Sequence, residues 1–157
     1  RTLFQAEPVE VSGWQKVNDK GVDRTFAGQM RFESGAISQF YCSNESAPAW
    51  DADLIGSTGL MHLDLPYQNH PGLDGHVRIH RGSIADDTVT FGDSIEQMDE
   101  ETLIFRNNNA YQDEVDSMVA SVLNGLKPAL LLEDSRANIV TILALLKSAR
   151  ERHPIQI

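Results

Sequence analysis

Residues 110–157 read AYQDEVDSMVASVLNGLKPALLLEDSRANIVTILALLKSARERHPIQI, and this stretch decides the fold. Tyr111, Val115, Met118, Val119, Val122 and Leu123 recur at the spacing of one helical face, so the stretch opens as a helix. Asn107-Asn108-Asn109 supplies candidate caps before it. Gly125 with Pro128 just beyond supplies the stop, since glycine accepts the left-handed conformation in which helices commonly end. After this Gly-Leu-Lys-Pro break a second helix is expected from about Glu133 or Asp134 to Arg152. It has acids in its first turn, bases in its last and Pro154 after it, all favoured by the helix dipole. Ile139, Ile142, Leu143, Leu146 and Ala149 give it a broad apolar face, and a short apolar tripeptide closes the chain.

Upstream of the helices the period changes to two. Phe26, Gly28, Met30 and Phe32 fall on one side of a segment 25–32, with Thr25, Ala27, Gln29 and Arg31 on the other. Glu33-Ser34-Gly35 is short enough for a hairpin, and 36–43 returns with Ile37, Gln39 and Tyr41 opposite Phe40 and Cys42. Before them, 9–15 follows Pro8 and reads as the first strand. Strands are also expected at 50–56 and 60–65, joined through Gly56-Ser57-Thr58-Gly59. Between Pro66 and Glu101 the pattern is poor, with strand-like runs only at 76–80 and 88–91. Strands first and helices last predict an α+β fold: a mostly antiparallel open sheet with the two long C-terminal helices packed on one face.

The composition bounds the function. At 157 residues, 41% hydrophobic and 23% charged, the chain is long enough for one core and short for two. A formal net charge of -10 argues against nucleic acid, whose phosphates demand a basic surface. No run of about 18 apolar residues argues for a membrane span, and the N-terminal residues do not form a secretion signal. Cys42 is the sole cysteine, so no internal disulfide forms, and a cytoplasmic location is expected. In a strand Cys42 reads as an inert buried thiol with no basic neighbour in sequence.

Three stretches carry a family resemblance. GVDRTFAGQMRFESGAISQF, with Asp23, Phe26, Gly28, Phe32 and Gly35, is similar to an Asp-x-x-Phe-x-Gly segment followed by Phe-x-x-Gly in the Gfo/Idh/MocA oxidoreductases. LIGSTGLMHLDLPY resembles that family's Gly-x-x-Gly hairpin, here Gly56, Gly59 and Pro66. The ending matches through Ala110-Tyr111, Glu114, Gly125, Pro128, Glu133-Asp134, Asn138 and Ser148-Ala149. The resemblance implies the substrate and oligomerisation domain of an NAD- or NADP-dependent oxidoreductase acting on a sugar, cyclic polyol or related compound. It also implies that the cofactor is bound by an N-terminal Rossmann domain absent from these residues, because no G-x-G-x-x-G occurs. The chain therefore reads as starting within a longer protein, and its residues 1–157 alone are expected to be inactive. A self-standing, non-catalytic binding or assembly module is the competing reading.

Neither a catalytic nor a cofactor-binding residue is assigned. The family's lysine follows glutamate in Glu-Lys-Pro, whereas Lys127 follows leucine, so Lys127 is rejected as the base. The resemblance makes the connection 43–50 the substrate side, with Asn44, Glu45, Ser46 and Trp50, and adds Tyr111 at a helix start. The plainer alternatives are an exposed loop with Trp50 packed on the sheet and a Tyr111 ring filling core. His62, His70, His76 and His80, with Asp64 and Asp74, are the only cluster weighed for a metal, and no metal is assigned. On a strand, His76 and His80 lie about 13 Å apart, too far for one ion. Gly56 to Gly59 reads as a hairpin rather than an anion nest, because a strand follows it.

Finally, a homo-oligomer is expected through the open face of the sheet. Neither side of the strands is cleanly polar, and helices can cover only one. Met30→Glu discriminates: it separates subunits if Met30 lies in the contact and unfolds the chain if Met30 lies under a helix.

Overall fold

The alternating segments become strands in the computed structural model of the chain, which describes residues 1–66, 73–82, 99–106 and 109–157. They are β1 (Pro8–Val17), β2 (Asp23–Phe32), β3 (Ile37–Ser43), β4 (Ala52–Gly56), β5 (Gly59–Asp64), β6 (Gly75–Arg81) and β7 (Asp99–Phe105). Helices α1 (Ala110–Asn124) and α2 (Leu132–Glu151) follow, and β8 (Ile155–Gln156) closes the chain. The fold is α+β with open antiparallel sheets, and the strands are shared between two sheets of four, ordered β3-β2-β1-β8 and β4-β5-β6-β7. The chain divides accordingly into two compact units, Arg1–Ala47 with Pro128–Ile157, and Pro48–Lys127. The expected strand-like run 88–91 and the caps Asn107 and Asn108 lie outside the described residues.

In the first unit, α2 packs on β1. Val11, Phe26 and Leu145 form the buried cluster, with Met30, Ala144, Leu146, Ala149 and Ile155 packed against it. Met30 therefore lies under a helix. The helix comes unusually close to the sheet because Gly13 and Gly28 present no side chains: a Cβ on Gly13 would stand 2.5 Å from the Leu145 carbonyl oxygen. This close approach also decides which face of α2 turns inward. The buried positions are Thr141, Leu145 and Ser148, whereas Ile139, Ile142 and Leu143 of the expected apolar face are exposed. The two buried hydroxyls are satisfied locally: Thr141 Oγ1 donates to the Ala137 carbonyl at 3.0 Å, and Ser148 Oγ donates to the His153 carbonyl at 2.7 Å. Ser148 Oγ also accepts from the Gly13 N–H at 3.0 Å, at a point on β1 that the short β8 does not reach. Arg1 ties the start of the chain to α2, donating to both Glu7 carboxylate oxygens and to Asp134 Oδ1 at 2.9 Å.

In the second unit the four strands again alternate. Register places Leu54, Met61, Ile79 and Glu101 on one side, and Asp53, His62, Arg78 and Thr102 on the other. The acid-rich β7 holds the edge beside β6, where Arg81 meets Glu101 at 2.6 Å. Helix α1 begins as expected: the Asn109 side chain accepts from the Gln112 N–H at 3.3 Å, and Gly125 ends the helix at φ 67°. None of its residues is buried.

Candidate functional site

The side of the first sheet that faces away from α2 ends in a polar cluster. Strand register sets Thr25 opposite Lys16 on one neighbour and Ser43 on the other, with Trp14, Ala27 and Tyr41 in the next row. Thr25 Oγ1 and Ser43 Oγ are 2.9 Å apart. The chain leaving β3 folds back here, because the Asn44 N–H donates to the Arg24 carbonyl at 3.0 Å and the Glu45 N–H to Ser43 Oγ at 3.0 Å. Glu45 is then gripped from two sides, by Lys16 Nζ at 2.7 Å and Arg24 Nε at 3.2 Å. The hydrogen bond from Lys16 is the largest cause holding its carboxyl below the ordinary glutamate value. Hydrogen bonding to Ser43, then Ser46, likewise lowers the Tyr41 hydroxyl below the ordinary phenol value. Beside this cluster is a shallow depression of about 370 Å³ lined by Trp14, Ala27, Gln29, Gln39 and Tyr41, among others.

Asn44, Glu45 and Ser46 are thus brought together at one sheet end, but Glu45 is committed to two cations. Trp50 and Tyr111 belong to the second unit. Trp50 is 40% exposed just before β4, and Tyr111, at 75% exposed in the first turn of α1, fills no core. Sequence reasoning missed Lys16, Arg24, Thr25 and Tyr41 as part of this cluster. The signal for Tyr41 was its alternation with Ile37 and Gln39, but its closeness to Ser46 needs the fold-back after β3. Cys42 is exposed on β3, an edge strand of its sheet, rather than buried.

The second unit carries a charged row. The Asp53, His62 and Arg78 positions are register partners on β4, β5 and β6. His62 Nδ1 lies 2.6 Å from Asp53 Oδ1 and Nε2 lies 3.0 Å from Asp64 Oδ1, which also accepts from Arg78 Nη2 at 2.8 Å. Asp53 is the main cause of a raised His62 pKa; Asp64 adds to it, and burial and Arg78 oppose it. His76 and His80 are on β6, a strand, which keeps them apart along the chain. His70 lies outside the described residues.

The described residues do not fit a dinucleotide. Such a site needs a glycine turn leading from a strand into a helix N-terminus, whereas Gly56 to Gly59 joins the antiparallel β4 and β5. Among the described residues no glycine turn joins a strand to a helix.

Residues 1–157 match a family model described as the oxidoreductase family, C-terminal alpha/beta domain, of Gfo/Idh/MocA type. No curated protein sequence matches the chain. Among solved structures it is similar to an aldose-aldose oxidoreductase from Caulobacter crescentus complexed with glycerol, with TM-score 0.75 and 18% identity over 100% of this chain and 43% of that one. An oxidoreductase from Desulfitobacterium hafniense described as NADPH-dependent gives TM-score 0.73 and 14% identity, over 99% of this chain and 44% of that one. A UDP-N-acetylglucosamine 3-dehydrogenase from Acidithiobacillus ferrooxidans gives 0.71 and 12%, over 91% and 41%. At these identities the likeness is one of fold, and the chain spans less than half the length of each structure.

Proposed function

The chain belongs to the Gfo/Idh/MocA oxidoreductases as their C-terminal alpha/beta domain, and from that premise we propose that the whole protein is an NAD(P)-dependent oxidoreductase of a sugar, cyclic polyol or related carbonyl or alcohol. The nicotinamide accepts or supplies hydride at a carbinol or carbonyl carbon when bound, and it is held by a part of the protein outside residues 1–157. These residues supply a substrate-side wall and an assembly surface. The observation that carries the reading is the family match over the whole chain. Two solved relatives of the same fold are described as acting on an aldose and on a UDP-amino sugar, which supports the sugar class.

The role of the local residues follows from their partners. Glu45 fixes the loop through Lys16 and Arg24, leaving the Asn44 amide and the Ser46 hydroxyl to meet substrate hydroxyls; in the second unit, Trp50 and Tyr111 are the residues that the family resemblance assigns to the substrate. The open face of the first sheet, with Trp14, Ile37 and Tyr41 exposed, is the assembly surface of a homo-oligomer. The protein works in the cytoplasm in this reading.

The test uses the full-length protein with a panel of aldoses, cyclic polyols and nucleotide sugars, followed by nicotinamide absorbance. Turnover with at least one of them is expected, and Asn44→Ala and Ser46→Ala should raise KM more than they lower kcat. Residues 1–157 alone should neither turn over nor bind NADH in a fluorescence titration. A full-length protein that binds neither NADH nor NADPH would instead identify a non-catalytic binding or assembly module.

A further inference from the structure

The charged row on the second sheet has the form of a metal site. One donor atom from each of Asp51, Asp53 and His62 lies within 4.8 Å of the other two. The other imidazole nitrogen, His62 Nε2, is 3.0 Å from Asp64 Oδ1, and Asp64 is held in turn by Arg78 Nη2 at 2.8 Å. Metal-binding histidines commonly place the nitrogen away from the ion against a carboxylate in this way, and Nδ1, hydrogen-bonded to Asp53 in the metal-free site, becomes a ligand by releasing its proton as the ion binds. Strand register, not loop chance, puts the Asp53, His62 and Arg78 positions in line across β4, β5 and β6.

We infer that Asp51, Asp53 and Nδ1 of His62 bind a divalent transition cation of the zinc type, with Asp64 and Arg78 as the positioning pair behind the histidine. Two carboxylates neutralise the ion, one imidazole favours zinc over the all-oxygen preference of magnesium and calcium, and water completes a tetrahedron. Donors around zinc stand about 3.3 Å apart, given bonds of about 2.0–2.1 Å. His62 Nδ1 and Asp53 Oδ1 are at 2.6 Å, so Asp53 must swing outward slightly as the proton between them leaves. Its side chain is 47% exposed and has the room. The ion would clip the backbone entering β4 to β5, and Asp51 immediately follows Trp50, so it would also steady that substrate-side residue.

Calorimetric titration of the metal-free chain with Zn²⁺ tests this, together with two-dimensional spectra of the imidazole nitrogens. One equivalent of Zn²⁺ is expected to bind, with the His62 Nδ1 resonance moving and Mg²⁺ failing to compete. His62→Gln and Asp51→Asn should each abolish stoichiometric binding, and Asp64→Asn should weaken it about 10- to 100-fold. Asp51 lies outside every strand, so its variant keeps the fold even where His62→Gln loses it. Zn²⁺ should raise the melting temperature of the unaltered chain and not that of Asp51→Asn. No binding by the unaltered chain, binding undiminished in Asp51→Asn, or an unmoved Nδ1 resonance would overturn the inference.

Discussion

Gly13 and Ser148 join β1 to α2 through a hydrogen bond, and each owes its identity to what the other element's backbone does. A methyl on Gly13 would stand 2.5 Å from the Leu145 carbonyl oxygen, which cannot retreat without moving the helix. A methyl on Gly28 would instead meet the Phe40 ring at 2.5 Å, and that ring is a side chain, 38% exposed, rather than helix backbone. Gly13→Ala should therefore cost about 1–3 kcal/mol of unfolding free energy and Gly28→Ala distinctly less, read from urea midpoints at unchanged m-value. The reverse order would mean that the sheet, not the helix, yields. Ser148→Ala leaves both the Gly13 N–H and the His153 carbonyl without their partner and should cost about 1–3 kcal/mol in the same assay. At Glu7 the effect is one of pH. The Arg1 hydrogen bond holds its folded-state pKa below the unfolded value, so the pair's contribution is present above the unfolded pKa and is lost as pH falls through the folded one. Stability should consequently fall less on acidification in Glu7→Gln than in the unaltered chain. The difference is small, on the order of 0.2–1 kcal/mol, because the Glu7 side chain is 52% exposed.

Elements were legible in the sequence wherever one local rule decided them. The period of two over β2 and β3, the Asn109 cap and the Gly125 stop each rest on residues within a few positions, and each is where those residues place it. What escaped depends on partners distant in sequence. β7, DEETLIF, opens on three acids that disfavour a strand in isolation, but register sets Asp99 and Glu101 opposite Arg81 and Ile79 on β6, and charge at an edge also discourages stray pairing. β8 is a strand only because β1 offers Glu10 and Val11 as partners. The inward face of α2 overlaps only in part with the one hydrophobicity marks: Leu146 and Ala149 pack on the core, whereas Ile139, Ile142 and Leu143 are exposed. The helix sits close over two glycines and buries Thr141 and Ser148, whose hydroxyls find carbonyls nearby. In the candidate site the same divide holds: Asn44 to Ser46 follow from the resemblance, whereas the grip of Lys16 and Arg24 on Glu45 follows from register. The position of Met30 under α2 decides its variant. Met30→Glu should unfold the domain rather than divide an oligomer, lowering stability by about 2 kcal/mol or more, as measured by denaturant titration.

For the molecule as a whole, the proposed assembly rests on the opposite side of that first sheet. Trp14, Ile37 and Tyr41 are 58%, 67% and 62% exposed there, around an amide pair in which Gln29 Nε2 donates to Gln39 Oε1 at 3.4 Å. A two-fold axis through such a face would lay aromatic and amide groups on their own copies and close the assembly, as an isologous contact does. Sedimentation equilibrium at micromolar concentration should then give twice the chain mass, and a monomer throughout would remove the proposal. Ile37→Glu introduces like charges that face each other across the axis, yet Ile37 touches no core, so this variant should be monomeric with an unchanged urea midpoint at dilution. Charge adds a second, independent signature. Each chain carries a formal -10, so two chains repel at long range while their contact is apolar and amide in character. Raising the salt from about 0.01 M to 0.15 M shortens the screening length from about 30 Å to about 8 Å and should tighten the dimer. A contact made chiefly of intermolecular ion pairs would loosen over the same range, so the sign of the salt dependence tells which chemistry holds the copies together.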